Sequence, residues 1–64
     1  MIRITKDQAI ALANRYFRAK MDKNGITYRA FRRTVQPTFG CDGAVAVQWQ
    51  GMWLCIERDG YTHS

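Results

Sequence analysis

The densest cluster of chemistry-bearing side chains in this chain is Arg29, Arg32 and Arg33, carried in the run Tyr28-Arg29-Ala30-Phe31-Arg32-Arg33. A guanidinium is a planar fork that donates two parallel hydrogen bonds, a geometry matched to phosphate. Positive charge releases the counterions condensed on a nucleic acid, and an aromatic ring stacked on a base contributes about 1–3 kcal/mol. Basic residues interleaved with rings on a sheet therefore point to nucleic acid, and Trp53 with Gln48 supplies a ring and an amide for the same surface. Arginines on a solvated edge strand also have a plainer use, which is to block pairing with other chains. Trp53 likewise has one, as a local lid folded over Ala46 and Gln48.

Other chemistries are poorly served. A general base or nucleophile needs partners, and the single histidine, His63, stands at the C-terminal end of the given sequence, where chains fray. The carboxylates Asp7, Asp22, Asp42, Glu57 and Asp59 are scattered over a polar helix face, loops and a strand end, with no embedded pair. No phosphate-binding glycine loop, paired-histidine zinc motif or nucleophile elbow is present. Cys41 and Cys55 have neither disulfide-framework nor metal-ligand spacing and read as free thiols. The expectation is a protein without catalytic residues, metal or cofactor.

Ten Lys and Arg against five Asp and Glu give 64 residues a formal charge of +5. That field favours nucleic acid, an anionic membrane or an acidic protein, although a surplus of about 2–8 is also ordinary for a well-solvated small domain. No apolar stretch approaches the roughly 20 residues that span a bilayer, and the first residues lack the apolar core of a signal peptide. The expected location is cytoplasmic, with no membrane partner. Two partner classes stay open: nucleic acid, or a protein, whether a second copy forming a homodimer or an acidic host protein that the domain occupies or inhibits. Trp, Tyr, Met and Arg, which gather at interface centres, are all well represented here. Small size and basicity suit an accessory protein of a bacteriophage or mobile element.

The elements that must position these residues follow from periodicity. Thr5 with Gln8 forms a capping box, and over residues 6–23 Ala9, Ile10, Ala13, Tyr16, Phe17 and Met21 share one broad helix face, with Lys20 laying its methylenes on it. Asn24-Gly25 is the stop. From Ala44 to Glu57 two alternating runs flank Gln50-Gly51, and a two-residue loop pairs Trp49 with Met52, Val47 with Leu54 and Val45 with Ile56 on one apolar face. Gln48 then meets Trp53, and Ala46 meets Cys55, on the other face. The segment from about 26 to 36 is rich in β-formers and reads as a first strand, provided a bulge near Ala30-Phe31 reconciles its halves, with Pro37 ending it.

The expected fold is α+β, a single domain over residues 1–64. Its N-terminal amphipathic helix (about 6–23) packs on one face of a three-stranded antiparallel meander with strands at about 26–36, 44–49 and 52–58. An optional short strand at 2–4 would add to an edge. The helix covers one sheet face and leaves the other, with Gln48, Trp53 and some of the arginines, bare.

The run Ile4-Thr5-Lys6-Asp7-Gln8-Ala9-Ile10-Ala11-Leu12-Ala13 resembles the opening helix of PepSY-type domains, which also lead into antiparallel strands. The α-β-β-β order is similar to a double-stranded-RNA-binding domain without its last helix, although that family's basic helix-start motif is absent. The first likeness covers under a third of the chain, and neither implies a particular function for it.

Overall fold

A computed structural model describes residues 4–64. Its first element begins where the capping signal lies. Thr5 Oγ1 accepts a hydrogen bond from the Gln8 backbone N–H (3.1 Å), and Gln8 Oε1 accepts one from the Thr5 N–H (2.9 Å), so two orphan donors of the first turn are satisfied reciprocally. Helix α1 runs Lys6–Tyr16 and α2 runs Arg18–Lys23. They meet at Phe17 (φ −93°, ψ 10°), where the expected continuous helix is dented rather than ended. The bonds Phe17 N–H to Ala13 O and Met21 N–H to Phe17 O carry the ladder across.

Ala9, Ile10, Ala13, Phe17 and Met21 are buried as their spacing predicts, whereas Tyr16, expected on the same face, is 46% exposed. Lys20 is exposed and sets its Nζ 3.6 Å from Met52 Sδ at the end of the hairpin. Gly25, at φ +66°, closes α2. The Ile26 N–H reaches Met21 O and the Gly25 N–H reaches Asp22 O, the paired bonds of a Schellman motif.

The segment expected as the first strand is a helix. α3 spans Tyr28–Thr34, with Thr27 as N-cap accepting from the Ala30 N–H (3.2 Å). β-formers dominate its composition, and Phe31 and Val35, four apart and both buried, would share one face of a strand as they share one side of a helical turn, so their spacing alone does not separate the two states. Burial of Phe31 outweighs local propensity, which spans only about 1 kcal/mol. Its ring sits 4.9 Å from that of Trp49 and 6.3 Å from that of Phe17, while the Trp49 ring lies 5.4 Å from Phe17. The Trp49 indole N–H donates to Thr34 Oγ1 at 3.0 Å, which pins the end of α3 to the hairpin.

Strands β1 (Gln36–Phe39), β2 (Val45–Trp49), β3 (Met52–Ile56) and β4 (Thr62–His63) form an antiparallel meander in sequence order. The architecture is α+β, with four strands instead of three. Pro37 lies inside β1 rather than ending a strand. The Gly40 N–H to Ala44 O bond makes 40·44 a bonded pair, so by alternation Pro37·Val47 is a non-bonded one. The missing N–H therefore points to the open edge, where proline is tolerated and protective. The optional strand at 2–4 lies, but for Ile4, outside the described residues.

The hairpin matches its sequence reading pair for pair: Val45 with Ile56, Val47 with Leu54, Trp49 with Met52, Gln48 with Trp53 and Ala46 with Cys55. Val45, Val47, Trp49, Leu54 and Ile56 are buried beneath the helices, and Met52 is half-buried. Gln50 and Gly51 take φ +51° and +75°, the two positive values of a type I′ turn. A longer side chain such as Gln50 is a poor resident there, whereas asparagine, whose short amide bonds locally to the backbone, adopts this region readily. Gln50→Asn is expected to raise stability by about 0.5 kcal/mol, a gain that a higher midpoint in urea unfolding would register.

Candidate functional site

α3 decides where the arginines point. At about 100° per residue, Arg29 and Arg33 lie about 160° away from buried Phe31, on the solvent side of a helix whose inner side faces Trp49. Arg32, about 100° from Phe31, lies to one side of them and reaches α1, where its Nη2 sits 2.7 Å from Asp7 Oδ1. That bond to Asp7, with a further contribution from Tyr28, raises the Arg32 pKa above its ordinary value, so it is a constant cation. Both partners are well exposed, which makes the pair worth little to stability and leaves it open to exchange with another anion. Arg29 and Arg33 have no ion-pair partner among the described residues.

The anticipated surface joining Arg29, Arg32, Arg33, Gln48 and Trp53 is therefore not assembled. Gln48 and Trp53 are cross-strand neighbours on the outer sheet face, with Trp53 54% exposed. The three arginines sit on the opposite layer, because the segment that bears them coils into a helix over the inner face. Their spacing of 29, 32 and 33 is itself the i, i+3, i+4 stripe of a helix surface, and Thr27 ahead of it is a capping residue. Those two signals were present in the sequence and were masked by the β-forming composition.

Charge is segregated along the same division. The helices hold eight cations (Lys6, Arg15, Arg18, Lys20, Lys23, Arg29, Arg32, Arg33) against Asp7 and Asp22, a surplus of six. The other described charges are Arg58 against Asp42, Glu57 and Asp59, which leaves the strands and turns at −2.

The outer face of the sheet carries groups that sequence reasoning missed. β4 exists because the Glu57 N–H donates to Tyr61 O and the Gly60 N–H to Glu57 O, turning the chain back on β3. His63, expected to fray without a partner, is the register partner of Cys55 and sets its Nε2 2.7 Å from Glu57 Oε2. Tyr61 stacks on the His63 ring at 5.7 Å and 27°. Cys41 and Cys55 are free thiols. Among the described residues no three His, Cys, Asp or Glu are grouped to hold a metal ion, and no helix is long and apolar enough to cross a membrane. A cleft of ≈ 470 Å³ between α1 and the β3–β4 turn is lined by Ile4, Ala11 and Leu12 together with Arg58 and Asp59.

The chain matches no protein-family model, no curated protein and no solved structure. What the fold defines is a two-layer α+β protein with a cationic helical layer and an uncovered, nearly neutral sheet face.

Proposed function

We propose that this is a small non-catalytic protein that binds nucleic acid through its helical layer, with Arg29 and Arg33 of α3 as the principal phosphate contacts and Arg32 at their flank. The observation that carries the reading is the segregation of eight of the nine described cations onto one layer, which focuses the field of a +5 chain on one side. Arginines one helical turn apart and free of ion pairs among the described residues have their donors available for phosphate oxygens. Nothing in the arrangement favours one base over another, so the binding is of the backbone-directed kind. A cytoplasmic accessory protein of a bacteriophage or mobile element is the setting that fits size and charge.

The test is a salt titration with a short fluorescent DNA duplex. The logarithm of the affinity should fall linearly with the logarithm of salt concentration, with a slope of about −2 to −3, corresponding to two or three neutralised phosphates. A flat response, or no binding in dilute buffer, removes the proposal. An acidic protein as the occupant of the same layer is the alternative, and it would leave the duplex unbound. A protein partner on the sheet face is favoured by a separate observation, the exposure of Trp53 and Tyr61.

A further inference from the structure

A cavity of ≈ 280 Å³ lies between the α1–α2 junction and the loop that leads into α3. Met21 and Ile26 give it apolar surface, and all but one of its polar side chains are engaged. Arg18 Nε sits 3.4 Å from Asp22 Oδ1, Thr27 Oγ1 accepts from the Ala30 N–H, and Tyr28 interacts with Arg32. Asn14 is the exception. Its amide makes no hydrogen bond among the described residues, and its Oδ1 is closed off from solvent with no donor to accept from. Buried polar atoms are almost always paired, because leaving one unmet costs free energy. Helix formation does not account for the residue either, since alanine is the better helix former at such a position. An orphan acceptor on the wall of a cavity marks the place of a missing donor.

A second observation concerns the ring beside it. Tyr28 is 42% exposed although it lines the cavity, and cations surround it. Arg18 lines the same cavity, Arg29 follows Tyr28 in the chain, and Arg32 is its neighbour one turn on.

We infer that this cavity receives one unpaired nucleobase of a single-stranded nucleic acid. The base stacks on Tyr28 and donates from its edge to Asn14 Oδ1, while the phosphates on either side of it meet Arg29 and Arg32. A strand offers a flat π-face, a donor-bearing edge and an anionic backbone, and the site supplies a ring, an acceptor and cations in answer. The χ2 torsion of asparagine is broad, so a modest rotation carries Oδ1 into the cavity that the amide already lines. A base in a duplex is stacked on both faces and spends its donor edge on the complementary strand, so it cannot enter. The volume lies just under the ≈ 300–1,000 Å³ of sites for drug-sized ligands, which suits a single planar base. All four bases carry an edge donor, so the site selects the unpaired state and not a sequence. The inference rests on the phosphate-binding reading of the helical layer and narrows it to nucleic acid with unpaired bases.

Fluorescence anisotropy tests this with two labelled single strands of equal length and charge, one an oligothymidylate and the other carrying abasic residues at its centre, beside the duplex. The base-bearing strand is expected to bind at least about fivefold tighter than the abasic one, the contribution of one stacked base. Tyr28→Ala should erase that ratio, and Asn14→Ala should reduce it by about threefold, the worth of one neutral hydrogen bond. Asn14→Ala is also expected to leave the thermal unfolding midpoint unchanged or higher, because it removes an orphan acceptor and adds a helix former, so its effect on binding is not an effect on folding. Equal affinity for the two strands, a preference that survives both substitutions, or a lowered midpoint for Asn14→Ala would overturn the inference and leave phosphate binding by the helical layer standing. Failure to bind either strand or the duplex in dilute buffer would remove both.

Discussion

Trp49→Ala is expected to leave the chain unfolded or molten at room temperature, whereas Trp53→Ala is expected to change stability by only a few tenths of a kcal/mol. The two indoles are four residues apart on one hairpin, and their environments could hardly differ more. Trp49 is 1% exposed, touches the rings of Phe17 and Phe31, and gives its N–H to Thr34, so it joins α1, α3 and the sheet at one point. Truncating a buried aromatic to alanine costs about 3–5 kcal/mol. A domain of this length has a total stability of about 3–10 kcal/mol, since each residue contributes roughly 0.05–0.15 kcal/mol. One substitution thus consumes from about a third to all of it, and the indole's lost bond to Thr34 adds to the loss. Circular dichroism and urea unfolding of the two variants side by side would decide the matter. A cooperative, near-native transition for Trp49→Ala would mean that the helices do not dock on the hairpin as described.

Reversing charge at Arg29 and Arg33 together is expected to abolish duplex binding at low salt while sparing the fold. Both side chains lie on the solvent side of α3 and support no internal ion pair among the described residues, so glutamate there breaks no structural contact. Each lost charged hydrogen bond to phosphate is worth about 1.5–3 kcal/mol, so two of them correspond to at least about a hundredfold in affinity, before the repulsion of two new carboxylates is added. The salt slope should shrink by about two units in the milder Arg29→Gln, Arg33→Gln pair. Fluorescence anisotropy on the variants, with Gln48→Glu on the opposite layer as a control, distinguishes a helical-layer site from a sheet-face one. Binding that survives on α3 and is lost on the sheet would restore the surface anticipated from composition.

The separation of the arginines from the exposed Trp53 follows from one structural event. Had residues 26–36 paired as a strand, Arg29 or Arg32 would have shared the outer face with Trp53, and charge and aromatic area would have formed a single site. Coiling of Tyr28–Thr34 over the inner face separates them. The cationic layer and Trp53 then lie on opposite sides of the molecule.

Local and short-range signals were enough to determine the start of α1, its buried stripe, the stop at Gly25 and every pair of the β2–β3 hairpin. In those elements side-chain period, capping chemistry and turn chemistry agree, and an alternative register would expose five apolar side chains. Only the tertiary structure decided the state of residues 28–34, the passage of β1 through Pro37 and the existence of β4. The first depended on whether Phe31 had an aromatic pocket to enter, which Phe17 and Trp49 supply from distant parts of the chain. The second depended on which side of Pro37 faces a partner strand, and the third on a two-residue pairing too short to leave a periodic trace. Composition alone determined that the chain is basic. Where the three arginines of α3 reside was settled by the burial of Phe31, which turned them away from the outer sheet face.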